Sequence, residues 1–137
     1  DKGWLTNSYH VDIREQVDAF TKLSIESKLQ EQSLGGNVSY VEVNNLCNNL
    51  EALEQLVDFM YENNIYAEVN SESDVCGACH YEGIMSNDPK TLDWYCPVCG
   101  NKDQAKLSVV RRVCGYLGET VWTKGRKLDI LNRVKHL

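Results

Sequence analysis

Six cysteines stand in this chain of 137 residues, at positions 47, 76, 79, 96, 99 and 114. Four of them form two Cys-x-x-Cys pairs, Cys76-Gly77-Ala78-Cys79 and Cys96-Pro97-Val98-Cys99, with 16 residues between the pairs. Two intervening residues let both thiolates of a pair face one ion from a tight turn, and backbone N–H groups of that turn can donate to the sulfurs. Gly100, just past the second pair, suits a turn exit that needs positive φ. Four thiolates make a closed tetrahedral site with no open position for catalysis. The soft donor set favours zinc, with rubredoxin-type iron or a redox dithiol as the alternatives. Such spacing speaks for a metal and leaves function open, because zinc ribbons bind nucleic acid, bind proteins or simply staple a fold. His80 adjoins Cys79 and reads as a bystander. Cys47, in an Asn-rich turn, reads as a small core or surface residue.

The elements that position these cysteines are legible in part. Thr21 to Gln32 can carry a short helix that Gly35-Gly36 would stop. Val38 to Val43 alternates apolar and polar residues and reads as a strand. Asn44 to Asn49 is a polar turn, and Asn48 or Asn49 can cap a helix with Leu50, Leu53, Leu56, Val57 and Met60 on one face. Asn63-Asn64 ends that helix, and Ile65 to Val69 reads as a second strand. Strand, helix and strand over about 32 residues have the size of a crossover unit with parallel strands. A lone unit of that kind cannot cover both faces of its sheet, so it reads as the end of a larger α/β sheet or barrel. Asn70 to Asp74 is a polar linker. After the cysteine segment comes an apolar run, Leu107-Ser108-Val109-Val110, then Arg111-Arg112. Asp129 to Val134, with Leu128, Leu131 and Val134 on one face, is expected to close the chain as an amphipathic helix.

Composition narrows the classes. The chain is 42% hydrophobic and 25% charged, ordinary values for a globular fold, and its length suits one domain or two small ones. No apolar run approaches the ~20 residues of a membrane helix, so no membrane partner is expected. The first residues, Asp1-Lys2-Gly3-Trp4, show neither a signal peptide nor an initiator Met. That opening suits a fragment or a processed chain, and a reducing cytoplasm suits unpaired thiols. The net charge of −6 is uneven: residues 106–137 hold eight basic and two acidic side chains, and the first 105 carry −12. A basic tail with Tyr116 and Trp122 among its cations permits a second function, a zinc-ribbon nucleic-acid-binding or interaction module.

The most distinctive string is Arg112-Val113-Cys114-Gly115-Tyr116. Arg-Val-x-Gly-Tyr resembles the signature of glycyl radical enzymes. The wider string Arg111 to Gly118, with Gly125-Arg126 and the ending Arg133-Val134-Lys135-His136, resembles the C-terminus of the anaerobic (class III) ribonucleoside-triphosphate reductases. Thr6-Asn7-Ser8-Tyr9-His10 and Gly35 to Glu42 resemble late barrel segments of the same family, and the four-cysteine segment lies just upstream of the glycine, as it does there. At Gly115 the chemistry has a direct rationale. A backbone radical at Cα is delocalised over the flanking amide nitrogen and carbonyl, and a residue without Cβ flattens into that geometry without steric cost. The bulky neighbours Val113, Tyr116 and Leu117 can keep oxygen and water away.

The resemblance implies an oxidoreductase of deoxyribonucleotide synthesis. A radical-SAM activating enzyme, using S-adenosylmethionine and a 4Fe-4S cluster that this chain does not bind, takes a hydrogen atom from Gly115. The glycyl radical then generates a thiyl in the barrel, and the thiyl reacts with a ribonucleoside triphosphate. The implied fold is the terminal strand-helix-strand part of a glycyl-radical-enzyme α/β barrel over 1–70, a small four-cysteine zinc ribbon over 71–105, and a glycyl radical loop with a closing helix over 106–137. Implied partners are the activating enzyme, the remaining barrel and, in the full enzyme, a second copy in a homodimer. The chain is several-fold shorter than that family. Cys114 fills the variable position of the signature and is not given the thiyl role, so the chain alone is expected to be inactive, with the thiyl cysteine and nucleotide sites lying elsewhere.

Overall fold

The computed structural model describes residues 9–113, 116–118 and 122–137 of a mixed α/β chain. Gly115 and Cys114, named above, lie outside the described residues. The chain parts into two compact units: one runs to Ser71 and takes back Asn132–Leu137, and the other is Glu72–Leu131.

The first unit holds α1 (Ala19–Gln30), β1 (Ser39–Glu42), α2 (Leu50–Asn63) and β2 (Ala67–Asn70). β1 and β2 pair in parallel, with Ser39 opposite Ala67 and Glu42 opposite Asn70, as the strand-helix-strand pattern predicts. α2 begins where Asn49 accepts from the Ala52 N–H at 3.3 Å and ends at Asn64, whose N–H reaches the Met60 carbonyl at 2.9 Å. Both caps satisfy backbone groups that a helix end leaves orphaned. The core joins Ala19 and Leu23 of α1, Val41 of β1, Val43 just past it, and Leu56 and Met60 of α2. Phe20 meets Phe59 edge-on at 5.1 Å.

α1 starts two residues earlier than the sequence suggests, because Asp18 caps it through the Thr21 N–H and hydroxyl, at 2.9 and 2.6 Å. Its inner face is unusual, with Lys22, Glu26 and Gln30 all buried. Each is answered by partners. Lys22 Nζ donates to Glu26 Oε1 at 2.6 Å and to the Tyr40 carbonyl at 2.8 Å. Gln30 Nε2 donates to the Tyr66 carbonyl at 2.6 Å, and Gln30 Oε1 accepts from the Ile65 N–H at 3.2 Å. Buried polar groups persist only when paired in this way.

The end of the chain departs from expectation. α3 is Lys124–Leu131, so the helix expected over Asp129–Val134 begins earlier and stops short of Val134. Residues 133–137 are not helical. Their backbone is used differently: Val134 N–H donates to the Ile13 carbonyl at 2.9 Å, His136 N–H to the Glu42 carbonyl at 2.8 Å, and the His136 carbonyl accepts from Ala19. Arg133 Nη1 reaches Glu42 Oε1 at 2.8 Å, and Leu137 packs on the core of this unit. These long-range bonds outweigh a weak local helical pattern.

The second unit is built from short strands: β3 (Asp74–Cys76), β4 (Glu82–Gly83), β5 (Ser86–Asn87), β6 (Trp94–Tyr95), β7 (Leu107–Ser108), β8 (Arg111–Val113) and β9 (Tyr116–Gly118), followed by α3. β3 lies between β4 and β7, antiparallel to both. β5 pairs with β6, and β8 with β9, in two further antiparallel ribbons. The core holds Cys76, Met85, Trp94, Cys96, Leu107, Val109 and Ile130, with Cys79, Tyr81 and Trp122 packed against it. Two of these seven buried members, Cys76 and Cys96, are cysteines of the paired knuckles and are fully buried, so this core is small without whatever those sulfurs hold.

Candidate metal centre

The two knuckles share one backbone design. In the first, His80 N–H donates to the Cys76 carbonyl at 2.8 Å, and Cys76 N–H to the Tyr81 carbonyl at 2.9 Å. In the second, Gly100 N–H donates to the Cys96 carbonyl, and Cys96 N–H to the Asn101 carbonyl, both at 2.9 Å. The residue after each pair turns left-handed, His80 at φ 58 and Gly100 at φ 71. Glycine takes that conformation freely, whereas a residue with Cβ takes it at a cost. His80 therefore occupies the glycine position of the first knuckle, which aligning Cys-Gly-Ala-Cys-His with Cys-Pro-Val-Cys-Gly would have revealed. Gly77 serves close approach: its N–H donates to the Lys106 carbonyl at 2.7 Å, and a Cβ there would sit 3.3 Å from that oxygen.

The knuckles bring Cys76, Cys79, Cys96 and Cys99 together, with all four sulfurs within 4.8 Å of one another. Cys76 Sγ is 3.7 Å from Cys99 Sγ, and Cys79 Sγ is 3.6 Å from Cys96 Sγ. Four sulfurs at about 2.3 Å from a tetrahedral zinc would stand about 3.8 Å apart, so the set fits such an ion with little adjustment. Cys76 and Cys96 are fully buried, and Cys99 is exposed. Burial pushes the Cys76 thiol up, but the Ala78 and Cys79 N–H groups and the neighbouring thiols outweigh it and bring it down to about 6. Cys96 is lowered on the same pattern by Cys99 and Val98 N–H groups. The Tyr81 N–H favours a Cys79 thiolate, yet burial and the three neighbouring sulfurs hold that thiol up to about 12. Four sulfurs this close cannot all ionise without a cation among them, and a divalent metal would supply it. The group can hold a metal such as zinc.

The remaining sequence candidates are dispersed. Cys47 is a free, exposed cysteine. Val113 stands opposite Tyr116 in the β8–β9 ladder. Sequence reasoning missed the ion pair of Arg111 with Asp74, both buried. Arg111 Nη2 donates to Asp74 Oδ2 at 2.7 Å, Nη1 donates to Oδ1, and the Met85 N–H reaches Oδ2 at 2.8 Å. The partners are 37 positions apart, a separation no local pattern reports.

A family model described as "Anaerobic ribonucleoside-triphosphate reductase" matches residues 1–136. A protein of that name from Haemophilus influenzae is 39% identical over 140 residues, covering 100% of this chain and 20% of its own length. Another, from Enterobacteria phage T4, is 38% identical over 139 residues, covering 99% of this chain and 23% of its own. A solved anaerobic ribonucleotide reductase aligns with a TM-score of 0.48 at 19% identity, over 80% of this chain and 15% of that one. The chain thus spans about a fifth of the length of the curated relatives it matches.

Proposed function

Since the chain belongs to the anaerobic ribonucleoside-triphosphate reductase family, we propose that it is the glycyl-radical-bearing portion of such an enzyme, with Gly115 as the radical residue and Cys76, Cys79, Cys96 and Cys99 as ligands of a structural zinc. The observation that carries this reading is a conjunction within one chain. A four-sulfur cluster stands in the second unit, with Cys76 and Cys96 in its core, and the same unit carries the paired strands β8 and β9, which flank Cys114 and Gly115 in sequence. A Cα radical requires a residue free to flatten, which glycine is.

In this reading Gly115 gives up one Cα hydrogen atom to a radical-SAM activating enzyme that uses S-adenosylmethionine and a 4Fe-4S cluster. In the complete enzyme the glycyl Cα takes a hydrogen atom back from a barrel cysteine; the resulting thiyl takes the ribose 3′ hydrogen of a ribonucleoside triphosphate, the 2′ hydroxyl leaves as water, and a separate reductant, formate or a thiol system, supplies the two electrons that complete the deoxyribonucleotide. Zinc, when bound, supplies a cross-link between the two knuckles. Residues 1–70 act as the end of the catalytic α/β barrel, 71–105 as the zinc ribbon, and 106–137 as the radical loop with its closing segment. The remaining barrel, the activating enzyme and a second copy of the reductase are the partners, in the cytoplasm; among the described residues no helix is long and apolar enough to cross a membrane.

The nucleic-acid reading is not favoured. Of the tail's basic residues, Arg111 is spent on Asp74, Lys127 on Asp93 at 2.9 Å and Arg133 on Glu42 at 2.8 Å, so much of its charge is answered within the protein. Anaerobic incubation with a cognate activating enzyme is expected to give a glycyl doublet in the EPR spectrum. Gly115→Ala is expected to abolish it while the metal content stays at one per chain. A doublet that survives Gly115→Ala would overturn the assignment.

A further inference from the structure

The geometry points to Arg111 and Asp74 as a positioning pair that fixes the base of the Gly115-bearing hairpin to the strand entering the four-cysteine site; the inference rests on Gly115 being the radical residue. β8 and β9 form a ribbon of their own, three residues to a strand, hydrogen-bonded to no third strand among the described residues. A two-stranded ribbon that short is marginal by itself, so its orientation must come from side chains. Arg111 opens β8 opposite Gly118, which has no side chain to obstruct it. Its guanidinium turns inward, 2% exposed, and grips Asp74 with both terminal nitrogens. Asp74 is fully buried, opens β3, and lies two residues before Cys76.

The anchor is held from several sides. Asp74 Oδ2 also accepts the Met85 N–H at 2.8 Å. The Arg111 guanidinium lies 5.6 Å from the centre of the Trp94 ring, and its Nε faces Glu72 Oε1 at 3.6 Å. Paired donors on a carboxylate fix direction as well as distance, and a lysine, a point charge on a flexible stem, would fix only distance. A residue needed merely to neutralise Asp74 would not require the fork. Gly115 follows Arg111 by four positions in sequence, so the pair is proposed to act on the glycine through that short span.

The test compares wild type, Arg111→Met, Asp74→Asn and Arg111→Lys, each loaded with zinc, by elemental analysis, peptide-resolved amide hydrogen exchange and radical yield with the activating enzyme. One zinc per chain is expected in all four. Exchange over 112–118 should be faster by about tenfold or more in Arg111→Met and Asp74→Asn, the effect of breaking a buried charge pair. Radical yield should fall in parallel, while exchange over the two knuckles is unchanged. Arg111→Lys should keep the metal and fall between. Unchanged exchange over 112–118, or unchanged radical yield, in metal-loaded Arg111→Met would overturn the proposal. So would loss of metal and of protection across 72–131 together in Arg111→Lys, which would make the pair a general staple. If Arg111→Met and Asp74→Asn fail to hold zinc, Arg111→Lys alone decides by these criteria. A wild type without any doublet would refute the reading of Gly115, and the exchange pattern would then judge the pair by itself.

Discussion

Removing the metal should unfold one half of this chain and spare the other. The perturbation is either a strong chelator or Cys96→Ala, which deletes a fully buried sulfur. The second unit depends on short strands and a core in which Cys76 and Cys96 are two of seven buried residues. Structural zinc contributes roughly 10–16 kcal/mol in small zinc-folded units, whereas whole domains are stable by about 5–15 kcal/mol. A loss of that size exceeds what so small a core holds in reserve, so the metal-free unit is expected to be unfolded rather than merely weakened. The first unit has its own core of Ala19, Leu23, Val41, Val43, Leu56 and Met60, with none of the four cysteines in it.

Two signals report the halves separately. Trp94 is 3% exposed and stands edge-on to Trp122 at 6.0 Å, so its emission should shift to the red as the second unit opens. Amide exchange over α1 and α2 reads the first unit. We expect zinc release, the Trp94 shift and loss of protection over 72–131 to coincide, with α1 and α2 still protected. A zinc-free protein that keeps Trp94 buried and the knuckle amides protected would refute the reasoning that the metal supplies the folding energy. Coincident loss of protection in α1 and α2 would refute the separation of the two cores.

His80→Gly should stabilise the metal-loaded second unit by up to about 1 kcal/mol, because the left-handed turn there costs a residue with Cβ and costs glycine little; a lower melting temperature would show that the imidazole does more than fill a turn. Docking of the chain's last residues should weaken as pH falls. Burial first, and then the nearby Lys22 ammonium, lower His136 below its ordinary 6.5, and its Nδ1 accepts the Glu42 N–H at 3.1 Å, which an imidazolium cannot do. A folded value below the unfolded one means that the stabilisation is complete above pH 6.5 and is lost as pH drops from there through the folded value. Exchange at Glu42 and Val134 should follow that course, His136→Asn should flatten it, and docking that tightens in acid would contradict it. Air admitted to radical-loaded protein should cut the backbone at Gly115, leaving all four knuckle cysteines on the larger piece; cleavage at Gly118 or Gly125, read by mass spectrometry, would move the radical.

What the sequence disclosed follows the range of the forces involved. α2 was legible in its bounds because its end signals are local, an Asn cap and an Asn pair; of its expected apolar residues Leu56 and Met60 are buried, whereas Leu50 and Val57 are exposed. The two strands were legible as short β-rich runs on either side of that helix, although β1 buries all four of its residues rather than alternating, and the gathering of four sulfurs was legible from the Cys-x-x-Cys spacing. α1 was half legible, since its inner face carries Lys22, Glu26 and Gln30 and so lacks an apolar stripe. Gln30 makes sense only beside the Tyr66 carbonyl, 36 positions away. The segment after α3 was misread as helix for the same reason: Arg133 and His136 find Glu42 at separations of 91 and 94 residues. Pattern reading finds elements whose stability is set within a few turns and misses polar groups whose burial is repaid from a distance.

Glu42 shows where such a distant solution matters. Its side chain accepts from Asn70 at 2.7 and 2.8 Å and from Arg133 at 2.8 Å, and its backbone exchanges both of its hydrogen bonds with His136. β1, the end of β2 and the last residues of the chain therefore meet at one buried carboxylate. The chain leaves the first unit after Ser71 and rejoins it at Asn132, so everything proposed to bind metal or carry the radical lies, in sequence, between two segments of one core. A break at Gly115 would leave Arg133, His136 and Leu137 held to that core only by non-covalent contacts. Dissociation of that piece would strip Glu42 of its cation, and an unpaired buried charge typically costs several kcal/mol. Oxygen damage at the glycine would thus reach a unit that contains neither the glycine nor the cysteines, through the partners of Glu42.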